Sequence, residues 1–160
     1  MLIDNSTLIL LAKIGMLDLV IKNIKEKIIL TDIVLKEVTI KRTEDALLIE
    51  QRIKEGKLIV VNIKPKLYHS LLDDFNLGEG EAEALALAIE GKTALITDDK
   101  KAINVCKVFN VEFITTLNFI VGFNNKKIID RETAVAYIEK LSEYGRYNID
   151  LINKAKEDIK

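Results

Sequence analysis

The chain has 160 residues, of which 49% are apolar and 31% are charged, and its net charge at pH 7 is −1. This composition favours one domain with a well-buried core and excludes disordered and fibrous proteins. The balanced charge gives no evidence for or against a nucleic-acid partner, so any attraction to phosphate must come from local lysine and arginine side chains.

Membrane and disulfide-linked classes are also disfavoured. The longest apolar runs are far shorter than the roughly 20 residues that span a membrane, and no secretory leader is recognised. We therefore expect a soluble cytoplasmic protein without a membrane partner. The single cysteine, Cys106, excludes an internal disulfide and a cysteine metal cluster, and its place on an apolar helical stripe predicts a buried thiol.

Short apolar runs alternate with helical patterns along the chain. Buried strands are predicted at residues 1–3, 27–30, 58–61, 94–97 and 111–114. After the last strand come a short helix, an Asn124-Asn125 turn, a helix over residues 131–144 and an amphipathic tail from Asp150. This alternation predicts an α/β fold, a three-layer α/β/α sandwich around a parallel sheet of about five strands.

We expect a single domain over residues 1–160, with a C-terminal helical extension from about residue 146. The apolar side of that extension would dock on the body or on a second copy of the chain.

The first predicted strand ends at an aspartate. Asp4 follows the strand, and Asn5 or Ser6 is placed to cap a helix over residues 7–14. Ligands of parallel α/β sheets bind at the carboxyl ends of the strands, so Asp4 lies at the expected edge of a site.

A second carboxylate, Glu37, lies within an apolar stripe of the helix after the second strand. Ile33, Val34 and Ile40 are three or four residues from it on the same helical face. Charged side chains are rarely buried without partners, so the placement indicates a polar cleft or a shared cation. A chance position at the boundary of the stripe would also explain it.

The most acidic helical segment is LGEGEAEALALAIEG, residues 77–91. At 100° per residue Glu79, Glu83 and Glu90 fall close to one line, which predicts a solvated face. Glu81 instead shares its stripe with Ala84, Leu85 and Ala88, which predicts an inward carboxylate in the first helical turn. Such a carboxylate can also serve only to cap its helix or to complement the helix dipole.

The fourth predicted strand ends in two aspartates, Asp98 and Asp99. Both would lie at the carboxyl edge of the sheet, together with Asp4. One of the two is expected to cap the helix over residues 100–109.

Carboxylates from distant parts of the chain are thus expected to meet at one sheet edge. They cannot all stay ionised at close quarters unless a cation offsets their repulsion. Oxygen ligands favour magnesium or manganese, which can activate water for phosphodiester cleavage. No glycine-rich phosphate loop is present, and nothing singles out His69, the one histidine, as a catalytic base.

These acidic stations resemble those of the PIN domain, the nuclease fold of the VapC-type toxins. The resemblance rests on Asp4-Asn5-Ser6, the helical Glu37, the GEGEAEALALA run and Thr97-Asp98-Asp99. It is nearest to a prokaryotic PIN-like subgroup with a GxGEAEA pattern and extends to about Lys140. It implies a magnesium- or manganese-dependent enzyme that cuts single-stranded RNA.

Carried over by motif, the resemblance implies four catalytic residues, which are the first to fourth acidic stations in chain order: Asp4, Glu37, Glu81 and Asp99. It implies a set of metal ligands formed by Asp4, Glu81 and Asp99, with Asp98 as a further ligand. Ser6 is the polar residue that it implies for orienting the site.

The third acidic station departs from the family pattern, because the toxins commonly carry an aspartate there. Glu79 and Glu83 compete with Glu81 for this role. The 18-residue spacing from Glu81 to Asp99 and the inward stripe both favour Glu81.

Substrate and partners are also expected. Four basic side chains follow the acidic stations and could hold RNA phosphates, although solvated surface is the default interpretation of each: Lys100, Lys101, Lys41 and Arg42. A toxin of this kind would form a homodimer and be held inactive by a small antitoxin protein that blocks the acidic cleft. The alternative is a catalytically silent PIN-like module that binds RNA or a protein.

Overall fold

The computed structural model describes residues 1–145 and 147–160, which form five strands and ten helices. The strands are β1 (Leu2–Ile3), β2 (Ile28–Thr31), β3 (Leu58–Val61), β4 (Leu95–Ile96) and β5 (Phe113–Ile114). The helices are α1 (Asn5–Lys13), α2 (Leu17–Asn23), α3 (Asp32–Thr39), α4 (Glu44–Lys54), α5 (Tyr68–Phe75), α6 (Glu79–Glu90), α7 (Lys100–Val108), α8 (Thr116–Asn125), α9 (Arg131–Tyr144) and α10 (Ile149–Asp158).

The five strands form one parallel sheet in the order β3-β2-β1-β4-β5. β1 therefore lies at the centre, where Leu2 is paired with Ile29 of β2 and with Leu95 of β4. Helices connect the successive strands, as parallel pairing requires. The predicted α/β fold with about five parallel strands is confirmed.

A separate hydrophobic core lies on each face of the sheet. Ile3 and Ile96 pack with side chains of α1, α3, α8, α9 and α10. Leu2 and Leu95 pack with side chains of α6 and α7. Consecutive side chains of a strand point to opposite faces, so strands between two cores are apolar at every position. Cys106 is fully buried in the second core, and this burial raises the pKa of its thiol to about 11.

Two local predictions are wrong. The cap of α1 is Asp4, whose Oδ1 accepts a hydrogen bond from Thr7 N at 2.7 Å, and not Asn5 or Ser6. Asp4 is the single residue between β1 and α1, so the strand-exit aspartate itself takes the cap position. Asn124-Asn125 is not a turn but the end of α8, and the chain turns at Lys127, where φ is 58°.

The C-terminal helix docks on the body of the domain. α10 contacts α8 and α9. Its Ile152 side chain is 4% exposed, whereas the neighbouring Leu151 is 52% exposed. Within the described ranges, no helix is long and apolar enough to cross a membrane.

Replacement of Ile152 by alanine should lower the free energy of unfolding by about 2 kcal/mol or more, since it removes a buried side chain and leaves a cavity. Leu151→Ala on the same helix is the matched control and should cost well under about 1 kcal/mol. Urea denaturation of the two variants measures both values. Equal losses would show that α10 does not dock through Ile152.

Candidate active site

Asp4 leaves the central strand at the carboxyl edge of the sheet and is fully buried. Its Oδ1 accepts hydrogen bonds from Thr7 N at 2.7 Å and from Ser6 Oγ at 3.1 Å. Its Oδ2 is buried and makes no hydrogen bond of ordinary geometry with any described residue. Ser6 therefore contacts the first acidic station, and one oxygen of that station has no partner.

Burial raises the pKa of the Asp4 carboxyl from 3.8 to about 6, since the ionised form loses its hydration. The nearby hydroxyls of Thr97 and Thr7 lower the pKa in part, although Thr97 makes no well-aligned bond with Oδ2. The charge of Asp98 raises it further. A buried carboxylate with a raised pKa and an unpartnered oxygen is typical of a functional group.

The two aspartates after β4 have different surroundings. Asp98 accepts hydrogen bonds from Thr116 N at 2.8 Å, from Thr116 Oγ1 at 2.5 Å and from the Tyr147 hydroxyl. Asp99 caps α7, because its Oδ1 accepts a hydrogen bond from Ala102 N at 2.8 Å. Both oxygens of Asp98 are thus engaged, whereas the bonds found for Asp99 use only Oδ1.

Glu81 lies in the first turn of α6, beside Asp99. Its side chain is only partly buried, and its Oε2 accepts a hydrogen bond from Gly78 N at 3.1 Å. Burial raises the pKa of Glu81, the Gly78 amide lowers it, the charge of Asp99 raises it, and Lys101 lowers it. The third and fourth acidic stations are therefore electrostatic neighbours, and Glu81 also caps its own helix.

Glu37 is half-buried between α1 and α6. Asn5 Nδ2 donates a hydrogen bond to its Oε2, and Gly80 N donates one to its Oε1 at 3.4 Å. A Cβ atom at position 80 would lie 2.5 Å from Oε2, so only glycine leaves room for this carboxylate. Burial raises the pKa of Glu37, the Gly80 amide lowers it, and three glutamates of α6 raise it further.

Asn5 and Gly80 are functional-site candidates that sequence analysis missed. The sequence patterns give Asn5 only a capping role within the Asp4-Asn5-Ser6 motif, and they give Gly80 of the GEGEAEALALA run no role in the site. A signal for Gly80 does exist, because glycine inside a helix costs about 0.5–1 kcal/mol relative to alanine and so indicates a close approach. No comparable signal links Asn5 to Glu37, which lies 32 residues away.

The predicted solvated face of α6 is wrong at Glu83, which is only 5% exposed. α6 contacts α3, α5, α7 and the sheet, so it has no continuous solvent face. Burial raises the pKa of Glu83, and the Thr31 hydroxyl beside it at the start of α3 offsets part of that rise. In the described part of the chain, Glu83 Oε2 has no hydrogen-bond partner.

The four basic side chains predicted to hold phosphates are all exposed: Lys41, Arg42, Lys100 and Lys101. Lys101 lies close to the acids, because its charge lowers the pKa of Glu81. Its Nζ donates a hydrogen bond to Asn76 O at 3.1 Å. Lys100 is the first residue of α7, while Lys41 and Arg42 follow the end of α3.

The acidic stations are neighbours but do not form a closed set of metal ligands in this conformation. Among residues 1–145 and 147–160, no three His, Cys, Asp or Glu side chains lie close enough together to hold a metal ion. The charge of Asp98 raises the pKa of Asp4, the charge of Asp99 raises the pKa of Glu81, and the charge of Glu81 raises the pKa of Glu37. The donor chemistry fits a hard divalent cation, since every donor is a carboxylate and Asp4 Oδ2 is unpartnered.

Asp4→Asn should stabilise the metal-free protein at neutral pH. The folded-state pKa of about 6 exceeds the unperturbed value of 3.8, so ionisation of Asp4 destabilises the fold. This loss of unfolding free energy is absent below about pH 4, grows up to about pH 6 and is then complete, with an upper bound of about 3 kcal/mol. Asparagine keeps the cap but does not titrate.

Urea denaturation of wild type and Asp4→Asn at about pH 4 and about pH 7 measures this dependence. Asp73→Asn, a change of an exposed aspartate on α5, is the control for a general effect of lost charge. A difference between wild type and Asp4→Asn that is the same at both pH values would contradict the expectation.

The comparison with known proteins agrees with this geometry. A family model described as a PIN domain matches residues 1–160, and no curated protein matches the chain. PIN domains are generally nucleases and typically use divalent metal ions, so the match supports a nuclease-type function. Because the match extends over all 160 residues, the chain belongs to the PIN-domain family.

Proposed function

We propose that this protein is a metal-dependent endoribonuclease that cleaves single-stranded RNA. The observation that carries the proposal is Asp4, a buried carboxylate at the exit of the central strand with Oδ2 unpartnered among the described residues. Such a group destabilises the fold unless a cation or a proton compensates its charge. Its position in the centre of an acidic edge supports a role in binding a cation.

Magnesium or manganese would be held by the carboxylates that follow β1 and β4 and begin α6: Asp4, Asp99 and Glu81. When bound, the ion would lower the pKa of a water molecule and offset negative charge on the phosphodiester. Asp98 is the weaker candidate ligand, because Thr116 and Tyr147 already occupy its oxygens.

Glu37 would accept the proton of the attacking water. Asn5 and Gly80 N hold its carboxylate in one orientation. Its raised pKa moves it toward the neutral range, where a general base is most effective. Ser6 would keep Asp4 oriented through its hydrogen bond to Oδ1.

RNA would be held by the exposed cations next to the acids. Lys100 and Lys101 begin α7 immediately after Asp99, so they would contact the phosphates nearest the cleavage point. Lys41 and Arg42, which follow the end of α3, would contact RNA phosphates further from the cleavage point. We propose no base preference, because the aromatic residues are too dispersed along the sequence to indicate a stacking platform.

The proposal extends to the setting of a toxin–antitoxin pair. The enzyme would be VapC-like, act in the cytoplasm, form a homodimer and be held inactive by a small antitoxin protein. Exposed apolar side chains near the contact between α3 and α4 support a protein partner: Ile40, just after the end of α3, is 78% exposed, and Leu47 on α4 is 56% exposed. A partner that covers them would remove apolar surface from water.

The purified protein should cleave a single-stranded RNA oligonucleotide when Mg²⁺ or Mn²⁺ is present and should stop when EDTA is added. Asp4→Asn and Asp99→Asn should each lower the rate by roughly 100-fold, equivalent to about 2.7 kcal/mol of transition-state stabilisation. Both variants keep the helix cap but lose the charge that the cation needs. Gel analysis of the cleavage products measures the rates.

Asp73→Asn, in an exposed part of α5, is the control and should cleave as fast as wild type. Full activity in folded Asp4→Asn would contradict the mechanism. A wild-type protein that neither cleaves RNA nor gains stability from manganese would instead be a silent PIN-like binding module. Duplex RNA and single-stranded DNA of matched sequence test the substrate class.

Gly80→Ala should lower the cleavage rate by roughly tenfold with a stability cost of only about 1 kcal/mol. The added Cβ would lie 2.5 Å from Glu37 Oε2, so that carboxylate must leave its place beside Asn5. The atom that moves is the end of a flexible side chain, which keeps the stability cost low.

Gly122→Ala is the matched control for Gly80→Ala. It also adds a methyl group to a helix, but beyond the adjoining residues and the backbone of its own helix its Cβ would have no heavy atom within 4 Å. Equal cleavage rates for the two variants would show that the position of the Glu37 carboxylate does not matter.

A further inference from the structure

After α9, the side chain of Tyr147 contacts the acidic edge of the sheet. Tyr147 lies in the connection between α9 and α10, and its hydroxyl donates a hydrogen bond to Asp98 Oδ1. The tyrosine is half-buried, and α10 then packs on α8 and α9. The C-terminal segment is therefore in direct contact with the residue that precedes Asp99.

The Asp98 carboxylate accepts three hydrogen bonds. Thr116 N donates to Oδ1 at 2.8 Å, and Thr116 Oγ1 donates to Oδ2 at 2.5 Å. Together with Tyr147, these donors engage both carboxylate oxygens. Hydrogen bonds to an ionised acceptor are strong, so a cation would have to displace them to bind here. Asp98 therefore serves as an anchor, a carboxylate that links the backbone after β4 to Thr116 and Tyr147.

The backbone amide of Asp98 continues the network toward the first acidic station. It donates a hydrogen bond to Thr7 Oγ1 at 2.8 Å, and Thr7 N donates one to Asp4 Oδ1 at 2.7 Å. One chain of hydrogen bonds thus joins Tyr147 to Asp4. Asp98 also fixes the start of the backbone that carries Asp99.

We infer that Tyr147 is a positioning residue of the active site and that residues 147–160 are part of its scaffold. Tyr147 and Thr116 hold Asp98, and Asp98 fixes the backbone between the two acids that bind the cation, Asp4 and Asp99. Asp98 itself is the anchor and not a ligand. This inference rests on the proposed nuclease function where it concerns catalysis, but the Tyr147–Asp98 link is testable without it.

A double-mutant cycle on stability tests the link independently of cleavage. Tyr147→Phe should lower the folding equilibrium constant about tenfold in wild type, but less than about twofold in an Asp98→Ala background, where no side-chain acceptor remains for the tyrosine hydroxyl. Equal reductions in both backgrounds would overturn the link. If Asp98→Ala does not fold, Asp98→Leu replaces it in the cycle, because leucine also lacks an acceptor and leaves less empty volume than alanine.

Manganese chloride alone is the probe for the assignment of the two aspartates. Manganese should raise the melting temperature of wild type and of Asp98→Asn, but not that of Asp99→Asn, since Asp99 is the one of these two aspartates that binds the cation. The opposite pattern, in which Asp98→Asn alone loses the response, would overturn the anchor role. Where Asp98→Asn does not fold, Tyr147→Phe is tested in its place and should keep the response.

The kinetic test compares Tyr147→Phe with Tyr144→Phe, which changes an exposed tyrosine at the end of α9. At a temperature where every variant is folded, Tyr147→Phe should lower kcat about tenfold and leave KM for RNA within about twofold. Tyr144→Phe should change neither. An unchanged kcat in Tyr147→Phe would overturn the positioning role. A wild type without cleavage would overturn the proposed function, while the stability cycle would still decide the link.

Discussion

The burial of the Asp4 carboxylate, at the point where β1 becomes α1, is the constraint on which the site depends. One oxygen is fixed by Thr7 N, which starts the helix, and the other is left unpartnered within the described residues. The central place of β1 puts this acid between β2 and β4, so strand exits on both sides converge on it. The fold is therefore arranged around a carboxylate that is fully buried in this conformation.

The other acids are held by neutral donors and not by cationic side chains. Asn5 and Gly80 serve Glu37, and Thr116 and Tyr147 serve Asp98. Among the described residues, the ion pairs involve only acids outside the site, as between Arg52 and Asp18. Hydrogen bonds order the carboxylates without neutralising them, so the edge keeps a negative potential that attracts a divalent cation.

Local sequence patterns predicted the strands, most helices and the cap of α7 by one of the two aspartates after β4, because strand and cap signals lie within a few residues of one another. They could not predict the burial of Glu83, since a helical wheel assumes one solvated face and α6 is packed on several sides. The Tyr147 contact with Asp98 spans 49 residues and depends on the path of the C-terminal segment. Non-local contacts of this kind leave no periodic signal in the sequence.

In each of three site carboxylates, one oxygen caps a helix and the other is left for the proposed cation. Asp4, Asp99 and Glu81 each use one oxygen to accept a backbone N–H at a helix start. The helix dipole favours negative charge at these positions, so the acids stay ordered despite their mutual repulsion. Because the caps fix the backbone, the proposed binding of a cation would require changes in side-chain torsions more than in the backbone, which would lower the ordering cost of assembling the ligands.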